Sequence, residues 1–184
     1  MSNFWIYDKV QSLITKYKTR NPIEVIQRLN IKLEVINNTK DLLGMYRVIE
    51  RNRYIFISSE AGYLKNIILA HELGHDQLHR ATMGKGACFH ESINRTNTSI
   101  YELEANIFAA HLLIDDDKII SLIKDGHCDK SLAYEFSVDT NIVTIKIGEL
   151  IKMEKIDIEP YSLNFPKSDF LKEYKPCDDE WNYG

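Results

Sequence analysis

Two histidines, His71 and His75, bracket a glutamate in the run His71-Glu72-Leu73-Gly74-His75. On a helix, residues four apart project from the same side on adjacent turns. That spacing brings two imidazole nitrogens to the roughly 2.0–2.1 Å each needs from one zinc ion. Glu72 can lean over the same site without binding the metal, placed to take a proton from a water molecule the metal activates. The plainer alternative is two histidines and a glutamate on an ordinary amphipathic helix. Gly74 argues against it, because a glycine in a helix interior costs about 1 kcal/mol relative to alanine. Its presence points to the close approach of another element.

A catalytic zinc needs a third protein donor and an open position. His79 continues the i+4 series but lies eight residues from His71, roughly 12 Å along a helix axis. Donors of one zinc are only about 4 Å apart, so His79 is expected behind the ligands or in the core. Glu102 and Glu104 are better candidates. They face about 200° apart on one helix, so only one can look inward. Taking Ile100, Leu103, Ile107 and Ile114 as the buried stripe puts Glu104 on its flank and Glu102 on the solvated side. A carboxylate beside an apolar stripe needs a partner, and a metal is a good one. Glu104 is therefore the expected third ligand. His111, seven residues further on, falls on the inward stripe as a buried, hydrogen-bonded histidine or a support for the site.

The elements that must position these groups follow from periodicity. Apolar residues at Ile6, Val10, Leu13, Ile14 and Tyr17 predict a first helix. Asn21-Pro22 then starts a short second one ending near Leu29. Strands are expected at Ile31–Ile36, Gly44–Ile49 and Arg53–Ser58, with Glu50-Arg51-Asn52 as a hairpin turn. Tyr54 and Phe56 either lie on an edge strand that pairs with an extended peptide or on an internal strand. A long helix from about Gly62 to Leu78 carries the histidines, and Leu64, Ile67, Ile68, His71, His75 and Leu78 form one stripe. The stretch Arg80–Ser99, with Cys88, His90 and Glu91, has no clean period and reads as a long loop. A helix from about Ser99 to Leu113 follows, then three shorter ones at Lys118–Lys124, Lys130–Phe136 and Asn141–Met153. The last thirty residues hold Pro160, Pro166 and Pro176 and read as an irregular arm.

The 184 residues are 44% hydrophobic and 27% charged, ordinary for one globular unit with a core. A formal net charge of −4 argues against bulk phosphate-driven nucleic-acid binding. Cys88, Cys128 and Cys177 are widely spaced and odd in number, as expected for reduced thiols in a cytoplasmic protein. Neither a signal peptide nor a membrane-spanning run is expected. Lys130–Gly148 has a helix–turn–helix rhythm. Lys146 is the only base in its second helix, which favours a structural or partner-docking role over DNA contact.

HELGHDQLHR followed by YELEANIFAAHLLID resembles the ImmA/IrrE family of metallopeptidases, found with phages, mobile elements and stress regulators. The resemblance runs from Leu43 to Leu150. It implies one zinc ion on His71, His75 and the glutamate preceding Ala-Asn, Glu104, with Glu72 as general base. It also implies a protein substrate, a helix-turn-helix repressor whose cleavage relieves repression. The competing class is a non-catalytic regulator that grips such a partner without cutting it. The expected architecture is α+β and zincin-like, a small sheet packed on the two metal-bearing helices. Residues 1–114 form the core, 115–153 a helical subdomain and 154–184 the arm.

Overall fold

The computed structural model describes residues 4–37, 42–81 and 95–156, with backbone only for 95–99. Helix α1 (Phe4–Tyr17) buries Ile6, Val10 and Leu13, the i, i+4, i+7 set of one face. In α2 (Pro22–Arg28) the Asn21 side chain accepts a hydrogen bond from the Ile23 amide, and Pro22 occupies the first turn, where no amide proton is needed.

Three strands follow: β1 (Lys32–Ile36), β2 (Gly44–Ile49) and β3 (Asn52–Ser58). Their order in the sheet is β1-β3-β2. β1 runs parallel to β3, with Leu33 opposite Ile55. β2 runs antiparallel to β3, with Tyr46 opposite Ile55. The hairpin turns through Glu50 and Arg51, both at positive φ (48° and 67°), the twist that matches two right-handed strands. β3 is thus hydrogen-bonded on both sides, so Tyr54 and Phe56 lie on an internal strand rather than at an edge. Ile55 and Ile57 are the β3 side chains buried in the core.

The helix expected from Gly62 to Leu78 is three pieces of backbone. A 3-10 turn (Gly62–Leu64) leads into α3 (Lys65–Gly74), and a π-helical turn (His75–His79) follows directly. Every residue from Ile67 to Asp76 is buried. A helix buried all round has neighbours on every side: α3 packs against β2 and β3, α2 and α4.

Helix α4 (Arg95–Leu113) begins four residues before the expected start and packs against α3, α1 and α7. Its C-terminal end is tied down by Arg20, which donates to the carbonyls of His111 and Leu112 at 3.0 and 3.3 Å and pairs with Asp115 at 2.8 Å. Asp115 caps α5 (Asp116–Lys124) by accepting from the Lys118 amide. After α6 (Asp129–Phe136), Ser137 takes the left-handed conformation (φ 52°) and Asp139 caps α7 (Thr140–Lys152). One hydrophobic core runs from Ile6 through Ile55, Leu69 and Phe108 to Ile142 and Leu150. Among the described residues no helix is long and apolar enough to cross a membrane. The expected loop residues Cys88, His90 and Glu91 lie outside the described residues, as do Cys177 and the arm beyond residue 156.

Candidate metal centre

The end of α3 and the middle of α4 meet where Gly74 faces Ala105. A β-carbon on Gly74 would stand 3.1 Å from the Ala105 α-carbon and 3.2 Å from its carbonyl oxygen. The close approach that Gly74 suggested is therefore with α4, and it brings side chains of the two helices together. His71 Nε2 and His75 Nε2 are 3.1 Å apart. A carboxylate of α4 completes the group, with Oε2 3.3 Å from His71 Nε2 and Oε1 3.7 Å from His75 Nε2.

That carboxylate is Glu102, not Glu104. Donor atoms of His71, His75 and Glu102 all lie within 4.8 Å of one another, and all three residues are buried. Of the residues taken from sequence as the buried stripe of α4, Ile107 and Ile114 are buried, but the stripe does not extend to the turns around Glu102. Ile100 and Leu103, taken as markers of the buried stripe, are 56% and 40% exposed. Gly74 of α3 is met instead by Ala105 and the Cβ of Phe108, and Glu102 and Asn106, four apart, share a face of α4. Glu102 is only 6% exposed rather than solvated. Glu104 is turned towards His79 and accepts from its Nε2 at 2.8 Å.

The donor set fits zinc. Four tetrahedral donors at roughly 2.0–2.1 Å from the ion stand about 3.3 Å from one another. The 3.1 Å between the two imidazole nitrogens and the 3.3 Å from His71 Nε2 to Glu102 Oε2 are close to that value, and the other carboxylate oxygen is 3.7 Å from His75 Nε2. Two imidazoles and one carboxylate are also the chemistry of a catalytic rather than a structural zinc site, which keeps a position open.

Asn106 is the functional residue that sequence reasoning missed. Its Oδ1 lies 2.8 Å from His71 Nδ1. An amide oxygen there accepts a proton from Nδ1, which with a cation bound would leave the Nε2 lone pair for the ion. The signal was available, since Asn106 is one helical turn from Glu102. Burial acts to lower the pKa of His71, but the hydrogen bond and charge of Glu102, with Glu72 and Asn106, outweigh it and raise the value. Such an excess of negative charge around two imidazoles suits a cation.

Glu72 is 8% exposed. Strand β2 crosses α3 beside it: a β-carbon on Gly44 would stand 3.2 Å from Glu72 Oε1 and 2.3 Å from Ile68 Cγ2. Only glycine lets the strand lie this close. His79, one turn past His75 in the π-helical segment, is 2% exposed, and its Nδ1 is 3.1 Å from His75 Nδ1. Burial lowers the pKa of His79 and prevails over the opposing effect of Glu104.

His111 is fully buried, but it belongs to a different cluster. Its Nδ1 is 3.2 Å from Lys146 Nζ and its ring packs edge-on against Tyr7. Lys146, the one base expected on its helix, is itself completely buried and pairs with Asp116 at 2.5 Å. Lys155 closes on the other oxygen of Asp116 at 2.6 Å. These charges tie α5 and α7 to α4 and α1, with His111 and Lys146 in the interior and Lys155 partly exposed at its edge. His127 is exposed, as its position beside Gly126 suggested.

A small sheet laid across a helix that carries His-Glu-x-x-His, with a buried carboxylate from a second helix, defines a zincin-like α+β protein. The chain belongs to the M78 peptidase family: the family's pattern, described as the IrrE N-terminal-like domain, matches residues 26–147. The membership expected from the two motifs is borne out. Over 108 residues the chain is 38% identical to "Uncharacterized immunity region protein 2" of Bacillus phage phi105, covering 58% of this chain and 66% of that protein. The match therefore spans just under two thirds of that relative's length.

Proposed function

We propose that the protein is a metallo-endopeptidase of regulatory type. In this reading it holds one zinc ion on His71, His75 and Glu102 and cleaves a helix-turn-helix transcriptional repressor, relieving repression of a phage, a mobile element or a stress response. The observation that carries the reading is the buried His71–His75–Glu102 group with Glu72 on the same helix, in a chain of a peptidase family. A relative that bears the name of a phage immunity region supports the regulatory setting.

Zinc, when bound, supplies a Lewis acid that polarises the scissile carbonyl and makes water more acidic. The chain's own residues do the rest. Glu72 takes a proton from the attacking water on a carboxylate oxygen and returns it to the amine nitrogen as the peptide bond breaks. Asn106 holds His71 in the tautomer that leaves Nε2 free to bind. Gly44 and Ile68 fix the strand against the base and so set where Glu72 stands.

The Glu72→Gln variant tests the reaction. It keeps the metal donors and the size of the side chain but cannot accept the proton. With a purified helix-turn-helix repressor encoded beside the protein as substrate, Glu72→Gln is expected to retain zinc and lose cleavage by at least about 100-fold. A variant that relieves repression as well as wild type, with the repressor intact, would replace the peptidase with a gripping regulator.

A further inference from the structure

Glu104 is drawn into the site by a route other than the one its sequence position suggested. Resting on the metal reading above, we propose that Glu104 and His79 are positioning residues for His75, forming a carboxylate–imidazole–imidazole chain that fixes the orientation of this ligand from α4. The links are 2.8 Å from Glu104 Oε2 to His79 Nε2 and 3.1 Å from His79 Nδ1 to His75 Nδ1.

Proton accounting gives the chain one direction. His75 Nε2 faces His71 Nε2 and Glu102, so a metal there uses its lone pair and the single ring proton of His75 sits on Nδ1. His75 Nδ1–H then donates, and His79 Nδ1 must accept. The proton of neutral His79 is therefore on Nε2, and it donates to Glu104, which as a carboxylate only accepts. Each group has one role, and no proton is left without a partner along the line.

The other ligand is held in the same way at one remove fewer, by Asn106 Oδ1 at 2.8 Å from His71 Nδ1. Alternate residues of α4 thus serve the centre in three ways. Glu102 is a donor, Glu104 supports His75 through His79, and Asn106 supports His71 directly. Residues two apart on a helix point to different sides, so Glu104 cannot share the face of Glu102. It reaches instead the ring that follows His75 by one turn. That turn is π-helical, the wider backbone form often found at functional sites. His79 is 2% exposed and its ring also lies 4.7 Å from that of Tyr101, which holds it in place.

Zinc affinity by chelator competition, the visible absorption spectrum of the cobalt-substituted protein, and thermal unfolding of the metal-free protein test the chain without reference to catalysis. His79→Leu removes the acceptor and is expected to weaken zinc binding about 10- to 100-fold and to alter the cobalt bands. His79→Asn, whose Oδ1 takes the place of Nδ1, is expected to bind zinc within a few-fold of wild type. Glu104→Ala is expected to weaken binding by less than His79→Leu, with Glu104→Gln intermediate. Equal losses in His79→Leu and His79→Asn would mean that the ring only fills space and would overturn the proposal. So would wild-type affinity and spectrum in His79→Leu. If metal-free His79→Leu does not fold, the Glu104 pair decides: affinity unchanged in Glu104→Ala refutes the chain. Wild-type protein that binds no zinc rejects the metal reading itself, a result distinct from any of these.

Discussion

Replacing Gly44 with alanine probes the contact beside Glu72, the proposed general base. The new methyl would start 2.3 Å from Ile68 Cγ2, with Glu72 Cγ, one turn further along the same helix, 3.3 Å away. Carbon atoms rest at about 3.5–4.0 Å, so something must move by more than about 1 Å. Ile68 cannot yield easily: it is 2% exposed, and a β-branched side chain on a helix has one strongly preferred rotamer. The strand must lift instead. Alanine recovers about 0.5–1 kcal/mol of chain entropy in the strand, against an overpacking cost of about 1–3 kcal/mol. The displacement is large, so the upper part of that range applies, and the net loss is about 1–2 kcal/mol. Ile68→Ala alone costs about 2–5 kcal/mol, but it also removes Cγ2. In the double variant the methyl introduced at position 44 has room, and the combined loss falls short of the sum by about 1–2 kcal/mol. Urea unfolding of the four proteins, analysed with a common slope, gives this coupling directly. Additivity within about 0.5 kcal/mol, or a stabilised Gly44→Ala, would refute the packing argument.

Two further predictions concern the buried charge cluster. Burial, with Lys146 beside it, holds His111 at a pKa of about 3, far below an ordinary histidine. The fold therefore favours the neutral ring: its contribution to stability is complete above pH 6.5 and is lost as pH falls towards 3, by at most about 1.4 kcal/mol per pH unit. Unfolding free energies measured between pH 7 and 4 should show this slope, and His111→Gln should flatten it. Lys146 is pushed down to about 8 by burial but still carries its charge against Asp116 at neutral pH. Lys146→Met leaves Asp116 with one cation fewer in a buried setting and should cost about 3 kcal/mol. Lys118→Met, on the exposed Lys118–Glu135 pair, should move the unfolding midpoint far less.

The strands, the shorter helices and the His-Glu-x-x-His face were legible because each rests on a period or a turn that the chain carries locally. Ile55 and Ile57 alternate along β3, Ile6, Val10 and Leu13 repeat along α1, and Asn21-Pro22 opens α2. Gly74 was legible for a different reason, its cost in a helix, and the structure gives it Ala105 as the neighbour. What misled was the face of α4. Large apolar residues were taken to mark the inside, which holds for Ile107 and Ile114, yet Ile100 and Leu103 are exposed, while the close approach to α3 is of Gly74 to Ala105 and the Cβ of Phe108. Small residues mark close packing without raising the hydrophobic signal, so Glu102 was set on the wrong side. The π-helical turn at His75–His79 was likewise invisible, because nothing in its composition distinguishes it from the α-helix before it. Asn106 was missed along with the face it shares with Glu102.

The zinc content of two alanine variants bears most directly on the account. Wild type should bind one zinc per chain. Glu104→Ala should still reach one per chain at saturating zinc, with reduced affinity, because Glu104 meets His79, behind the site, rather than the His71–His75–Glu102 group. Glu102→Ala should fail to hold zinc at the same concentrations, because it removes the carboxylate that stands 3.3 Å from His71 Nε2. The reverse pattern, with zinc lost from Glu104→Ala and kept by Glu102→Ala, would contradict the centre described here.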